Sequence, residues 1–257
     1  AAGRMLAFVP VPQSQRGRSM TIIAACASLV HYLPLATTVV ATVFLGDLVR
    51  RYCTKGKGIH LLWWAGGVAT YGMGTALESV ITLAGNTVLL NKSWYVMGAL
   101  LGAYPLAQGT VYLLLRRRTA NLLTVITLPF VFVMIGLVAL CPIDLEVFEP
   151  HRPSGRALEW SWLRSLTPLI NGYAALFLVG GAVFSSWRFA RDRTMLHRAV
   201  GNALIAIGAI MPGIGGIVAK TGTIETLYIT ELTGLIFIWG GYSACVWPGK
   251  HSEIPRN

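Results

Sequence analysis

The chain has 257 residues, 54% of them hydrophobic and 12% charged, with a formal net charge of +11. A soluble domain carries about 25% charged and roughly 45–50% apolar residues, and a chain this short cannot hide such an apolar excess, so a soluble globular protein is excluded. The basic residues lie in short clusters between apolar runs with no interleaved aromatic stacking platform, which excludes nucleic acid and points to membrane topology and anionic lipid.

Residues 1–19, AAGRMLAFVPVPQSQRGRS, read as a polar lead-in. Their apolar part, MLAFVPV, is too short and too broken by proline for a signal-peptide core, and Met20 is an alternative start. Seven apolar runs follow, at about 21–48, 60–84, 94–115, 119–141, 162–187, 199–219 and 226–247. Each is long enough, at 1.5 Å per residue, to cross a hydrocarbon layer of about 30 Å. The runs are continuous rather than alternating, which rules out barrel strands; helices alone satisfy their own backbone in lipid. The expected fold is therefore all-α: an integral membrane seven-transmembrane-helix bundle over 20–248, with a cytoplasmic tail at 249–257.

Lys and Arg set the expected orientation. Arg50, Arg51, Lys55, Lys57, Arg116, Arg117, Arg118, Arg188, Arg191, Arg193, Arg198, Lys250 and Arg256 fall on one side. Lys92, Arg152, Arg156, Arg164 and Lys220 fall on the other, with Arg4, Arg16 and Arg18 in the lead-in. The N-terminus is thus expected outside and the C-terminus inside, in the inner (plasma) membrane of a bacterium. Trp94, Trp160, Trp162, Trp187 and Trp247 fall near the expected interfaces, as aromatic anchors do. The longest loop, about 142–160, is expected to cap the outer face, and no loop is long enough to fold alone.

Small residues four apart allow close helix approach. They occur at Gly98 and Gly102, at Ala209 and Gly213 with Gly215 and Gly216, at Gly66, Gly67, Gly72 and Gly74, and at Gly180, Gly181, Ala182 and Ser185. Intramolecular packing is the first reading and an oligomer seam the second. Pro105, Pro129, Pro168 and Pro212 lie within spans, where each removes a backbone donor. Cys26 and Cys141 fall toward the same side, where a disulfide would be feasible; the plainer reading of all four cysteines is apolar packing.

Ionisable residues inside spans are expensive, which makes them site candidates. Glu78 of the second helix, Glu231 of the seventh and Arg164 at the start of the fifth are expected to converge near the outer face. Two carboxylates and one Arg there suit an ion pair, a proton-accepting site or a small cationic ligand; a salt bridge locking three helices is the plainer alternative. His31, Tyr104, Gln108 and Asn171, with Asn202, are the deeper polar groups, His31 falling near the midplane and the amides reading as interhelical hydrogen-bond links. No cofactor is expected. No two histidines share a depth at which haem could be ligated, and the seventh span has no Lys for retinal. Neither a zinc-ligand set nor a GxSxG elbow is present, and GIGG at 213–216 lies in an apolar helix rather than a phosphate loop.

HLLWWAGGVATYGMGTALESV at 60–80, MGALLGAYPLAQGTVYLLLRRR at 97–118 and NGYAALFLVGGAVFSSWRFARDR at 171–193 with the following GNALIAIGAIMPGIGG resemble a group of uncharacterised bacterial polytopic membrane proteins. That resemblance covers most of the chain and implies no activity. A fainter similarity, in helix count and topology, is to the seven-helix sensory regions of bacterial signalling proteins. The expected role is a non-catalytic accessory subunit of a membrane complex, or a receptor-like binding module, with the bilayer and other membrane subunits as partners. The alternative is a secondary transporter of a small solute or ion using outer-face carboxylates. No nucleophile, base and metal set supports an enzyme.

Overall fold

A computed structural model describes residues 30–56, 58–219 and 224–246. The lead-in, Met20, Cys26, the first part of the first expected span, Lys220, Trp247 and the tail lie outside the described residues. The described chain is helical, and five of its helices are long and apolar enough to cross a membrane.

Helix α1 (Leu33–Lys55) has Pro34 in its first turn, where a missing N–H costs nothing, and stops at Gly56, whose φ of +131° suits glycine. The described helix thus runs on past residue 48, while residues 21–29 of the expected span lie outside the described residues. His31 sits in the turn before the helix.

Helix α2 (Ile59–Ala84) is not among the five apolar spans. It packs against α1, α3 and α4, and Gly, Thr and Glu are tolerated on the faces so covered, while Leu62, Met73, Val80 and Leu83 form an exposed apolar stripe. Helix α5 (Arg117–Leu140) is the reverse case, the most apolar of the five and, with α7, the least buried.

The third expected span, continuous over 94–115, is instead a broken helix. Helix α3 (Val88–Trp94) starts with the Thr87 hydroxyl accepting from the Leu90 N–H at 3.2 Å. It runs into a π-helical stretch, Tyr95–Leu100. The chain then breaks at 101–103, and α4 (Tyr104–Leu114) begins with Pro105 in its first turn. Pro105 has no N–H for the Leu101 carbonyl four residues back; the Thr70 hydroxyl of α2 donates to that carbonyl instead, at 3.3 Å.

The segment 141–160 folds back over the α2–α3 turn. Ile143 and Leu158 form an antiparallel bridge. Asn86 N–H donates to the Pro150 carbonyl at 2.6 Å, and the Asn91 amide both accepts from Ser154 N–H and donates to its carbonyl. This is the capped end of the bundle, and Cys141 is buried beneath it without a disulfide. The opposite, basic end carries the α4–α5 and α6–α7 turns. In the latter, the Thr194 hydroxyl and N–H hold the Asp192 carboxyl below the usual carboxylate range.

Helix α6 (Ser161–Ala190) contains Pro168 and a π-helical stretch, Ala175–Val179. Helices α7 (Leu196–Ala219) and α8 (Ile224–Val246) form the closest pair. Gly201, Gly208 and Gly215 of α7 face Gly241, Gly234 and Thr230 of α8, and a Cβ on Gly208 would stand 2.5 Å from the Gly234 carbonyl oxygen. The contact stripe is thus Gly201, Gly208 and Gly215, whereas Gly213 and Gly216 have nothing within 4 Å.

Candidate functional site

Near the capped end, the α2–α3 contact sets the first wall of a site. Gly74 lies so close to Gly98 that an added Cβ would be 3.1 Å from the Gly98 Cα. One turn on from Gly74, Glu78 is drawn against α3, and the Trp94 indole N–H donates to its Oε1 at 2.8 Å. Glu78 is 1% exposed, and its Oε2 is buried with no hydrogen-bond partner.

Glu231 of α8 supplies the second carboxyl. The two carboxyls lie within electrostatic reach of each other. Glu231 Oε2 is likewise buried and without a hydrogen-bond partner, as is the Thr82 hydroxyl one turn beyond Glu78. The Tyr71 hydroxyl donates to the Glu231 backbone carbonyl at 3.0 Å, tying α2 to α8. Tyr228, buried one turn before Glu231, stands within electrostatic reach of both carboxyls and of Arg152 from the capping segment. The His31 ring meets Tyr228 edge-on, with centroids 6.4 Å apart.

Two acidic groups so placed have a clear chemical demand. Unit charges 4 Å apart repel by about 4 kcal/mol even at an effective dielectric of 20. A buried carboxyl pair therefore calls for a proton or a cation between its oxygens.

The expected convergence of Glu78, Glu231 and Arg164 is met by the two acids and not by Arg164. Arg164 donates to the Arg156 carbonyl at 3.3 Å and lies within electrostatic reach of Tyr95. Among the described residues, Arg152 brings a guanidinium within electrostatic reach of Tyr228 and donates to the Ala219 carbonyl at 3.4 Å. His31 joins the site through Tyr228 because α1 begins at Leu33.

Tyr104 and Gln108 belong to a separate ladder on α4. The Tyr104 hydroxyl pairs with Thr127 at 2.8 Å, and Tyr112 with Thr124 and Asn121 at 2.9 and 3.0 Å. Between these rungs the fully buried Gln108 amide donates to Thr124 at 2.6 Å and accepts from Tyr173 at 2.6 Å. The α6 partner is thus Tyr173, while Asn171, two residues earlier, is exposed and outside both groups. Asn202 donates to the Arg198 carbonyl of its own helix and to the Cys245 Sγ of α8, at 2.8 and 3.4 Å.

Sequence reasoning missed Tyr71, Trp94, Tyr228 and Asp47. Tyr71 and Tyr228 sit two turns and one turn from a flagged acid on the same helix, and that spacing was a usable signal; Trp94 reaches Glu78 from another helix, which no helical period foretells. Asp47 lies inside an expected span and was itself a signal.

No protein-family model, curated protein or solved structure matches the chain.

Proposed function

We propose that this chain is a bacterial plasma-membrane protein with seven crossings that holds a proton or a small monovalent cation between Glu78 and Glu231, acting as a receptor-like binding module. The observation that carries this reading is the adjacent pair of buried carboxyls, each with an Oε2 that has no hydrogen-bond partner. Glu78 is nearly sealed from solvent, which favours a ligand no larger than a dehydrated ion.

The seven crossings are the five apolar helices, α2 and the broken α3–α4 unit. The clustering of Arg116–Arg118 and Arg188–Arg198 at one end supports a cytoplasmic basic end and an outward-facing cap.

Thermal unfolding of the purified protein in detergent tests the binding. It is followed against rising Na+, K+ or ammonium at fixed pH, and against falling pH at fixed salt. A ligand at about 100 times its Kd adds about 2.7 kcal/mol to the state that binds it. The wild type is expected to gain stability from one of these additions and Glu231→Gln to gain none. A wild type indifferent to all of them, or a Glu231→Gln that responds equally, overturns the reading.

A second reading, an accessory subunit, is favoured by one observation. Gly213 and Gly216 leave part of α7 open to close approach by another helix. Copurification of a stoichiometric membrane partner that is lost on Gly213→Leu would support it.

A further inference from the structure

At the basic end of the bundle lies a second polar group, on α1 together with α2 and α8, the helices that carry the acid pair. Asp47 of α1 accepts a hydrogen bond from the Trp239 indole of α8 at 2.9 Å through Oδ2 and is otherwise exposed. One turn along α8 from Ile238 is Tyr242, only 6% exposed, with its hydroxyl buried and without a partner. That hydroxyl is within electrostatic reach of Asp47 and Arg51, and His60 stands near Arg51. Phe44 packs on both Trp239 and Tyr242, at 6.1 and 5.5 Å, and Trp64 meets Tyr242 edge-on at 6.0 Å.

The two polar groups are joined by an uncommon helix contact. Helix α1 packs along both α2 and α8. Helices α2 and α8 meet chiefly through long side chains: Glu78 with Glu231, Tyr71 with the Glu231 carbonyl, and Trp64 with Tyr242. Between the polar ends the seam is closed by the buried apolar side chains of Ala41, Val68, Leu235 and Ile238. Side chains bridging a wide seam can rotate aside without separating two interlocked backbones, whereas ridge-into-groove packing would have to be dismantled.

We propose that the α2–α8 seam is a transport path, in which the proton or monovalent cation bound at Glu78 and Glu231 is released past Asp47 at the opposite end. The apolar stretch between the two ends makes the protein a carrier that opens to one side at a time, because no continuous polar chain crosses it. Asp47 is the acceptor at the exit. The Tyr242 hydroxyl is the neutral group the ion passes before reaching it. This inference rests on the proposed binding at the acid pair.

The test uses the full chain in proteoliposomes containing a trapped pH dye, with imposed gradients of pH, Na+, K+ or ammonium, alongside the stability-based binding measurement. Asp47→Asn retains an oxygen that can accept from Trp239, so the fold is expected to persist. The wild type is expected to show flux that saturates with the ion that binds. Asp47→Asn is expected to bind like the wild type but to lose about tenfold or more in flux, the scale of losing a charged partner. Tyr242→Phe, which keeps the ring packing, is expected to slow flux less. If Asp47→Asn carries flux within a factor of about two of the wild type, a difference too small for a lost charged group, the exit assignment is wrong. If the wild type binds an ion yet moves none, the path is wrong and the binding reading stands. If the wild type binds nothing, both fall together.

Discussion

A buried amide with both ends occupied is costly to replace. Gln108 is fully buried and joins Thr124 of α5 to Tyr173 of α6. Gln108→Leu fills similar space but leaves two half-buried hydroxyls one bond short, and it should cost about 1–3 kcal/mol. Thermal unfolding of Gln108→Leu, Tyr173→Phe and the double variant checks this, since partners in one network should give losses that do not add. A strictly additive pair would show that the ladder does not act as a unit. Glu78, Glu231, Tyr104 and Gln108 were legible as residues in the sequence because polar groups inside an apolar run are scarce and expensive. Their partners were not legible. Arg164 had the right height for the acid pair but the wrong azimuth, and one sequence does not fix how a helix is rotated about its axis within a bundle. Arg152, on a loop that folds back over the bundle, has no helical period from which its position could be read.

Among the elements, α7 and α8 show what close packing requires. Gly201, Gly208 and Gly215 recur every seven residues and lie against α8, whereas Gly213 and Gly216 face away from any neighbour. Gly208→Val should therefore lower stability by about 1–3 kcal/mol through overpacking against the Gly234 carbonyl. Gly213→Ala should be neutral or raise stability by up to about 1 kcal/mol, because alanine is the better helix former. Unfolding midpoints in detergent measure both, and equal effects at the two sites would contradict the packing. Small residues in α7 were visible in the sequence, but the stripe that does the packing was chosen by its partner's glycines. The break in α3–α4 has a similar origin. Pro105 is compatible with a kinked continuous helix, as Pro129 in α5 shows. What permits a full break at 101–103 is Thr70 on α2, which supplies the donor that Pro105 lacks.

For the molecule as a whole, orientation can be tested with a native group. Cys53 is exposed near the basic end, and Cys141 is buried under the cap. In a variant retaining Cys53 alone, a membrane-impermeant thiol reagent should label inverted vesicles and leave intact cells unlabelled; labelling of intact cells would reverse the topology. By itself the sequence determined the solvent. Its long apolar runs and scarcity of charge demand helices in a bilayer, since only a helix pairs its own backbone over that length. The helical extents followed within a few residues where a long apolar run is bounded by charged or polar residues, as in α5, α6 and α8. Tertiary structure decided which helix is interior. Helix α2 falls outside the five apolar spans, so a hydropathy scale passes over the helix that carries Glu78, although α1, α3 and α4 bury the face on which Glu78 lies. Tertiary structure also decided the site, bringing Glu78 and Glu231 together from distant parts of the chain. The helices are specified locally by their own residues, while the rotation and neighbours of each depend on side chains that only the assembled bundle brings into contact.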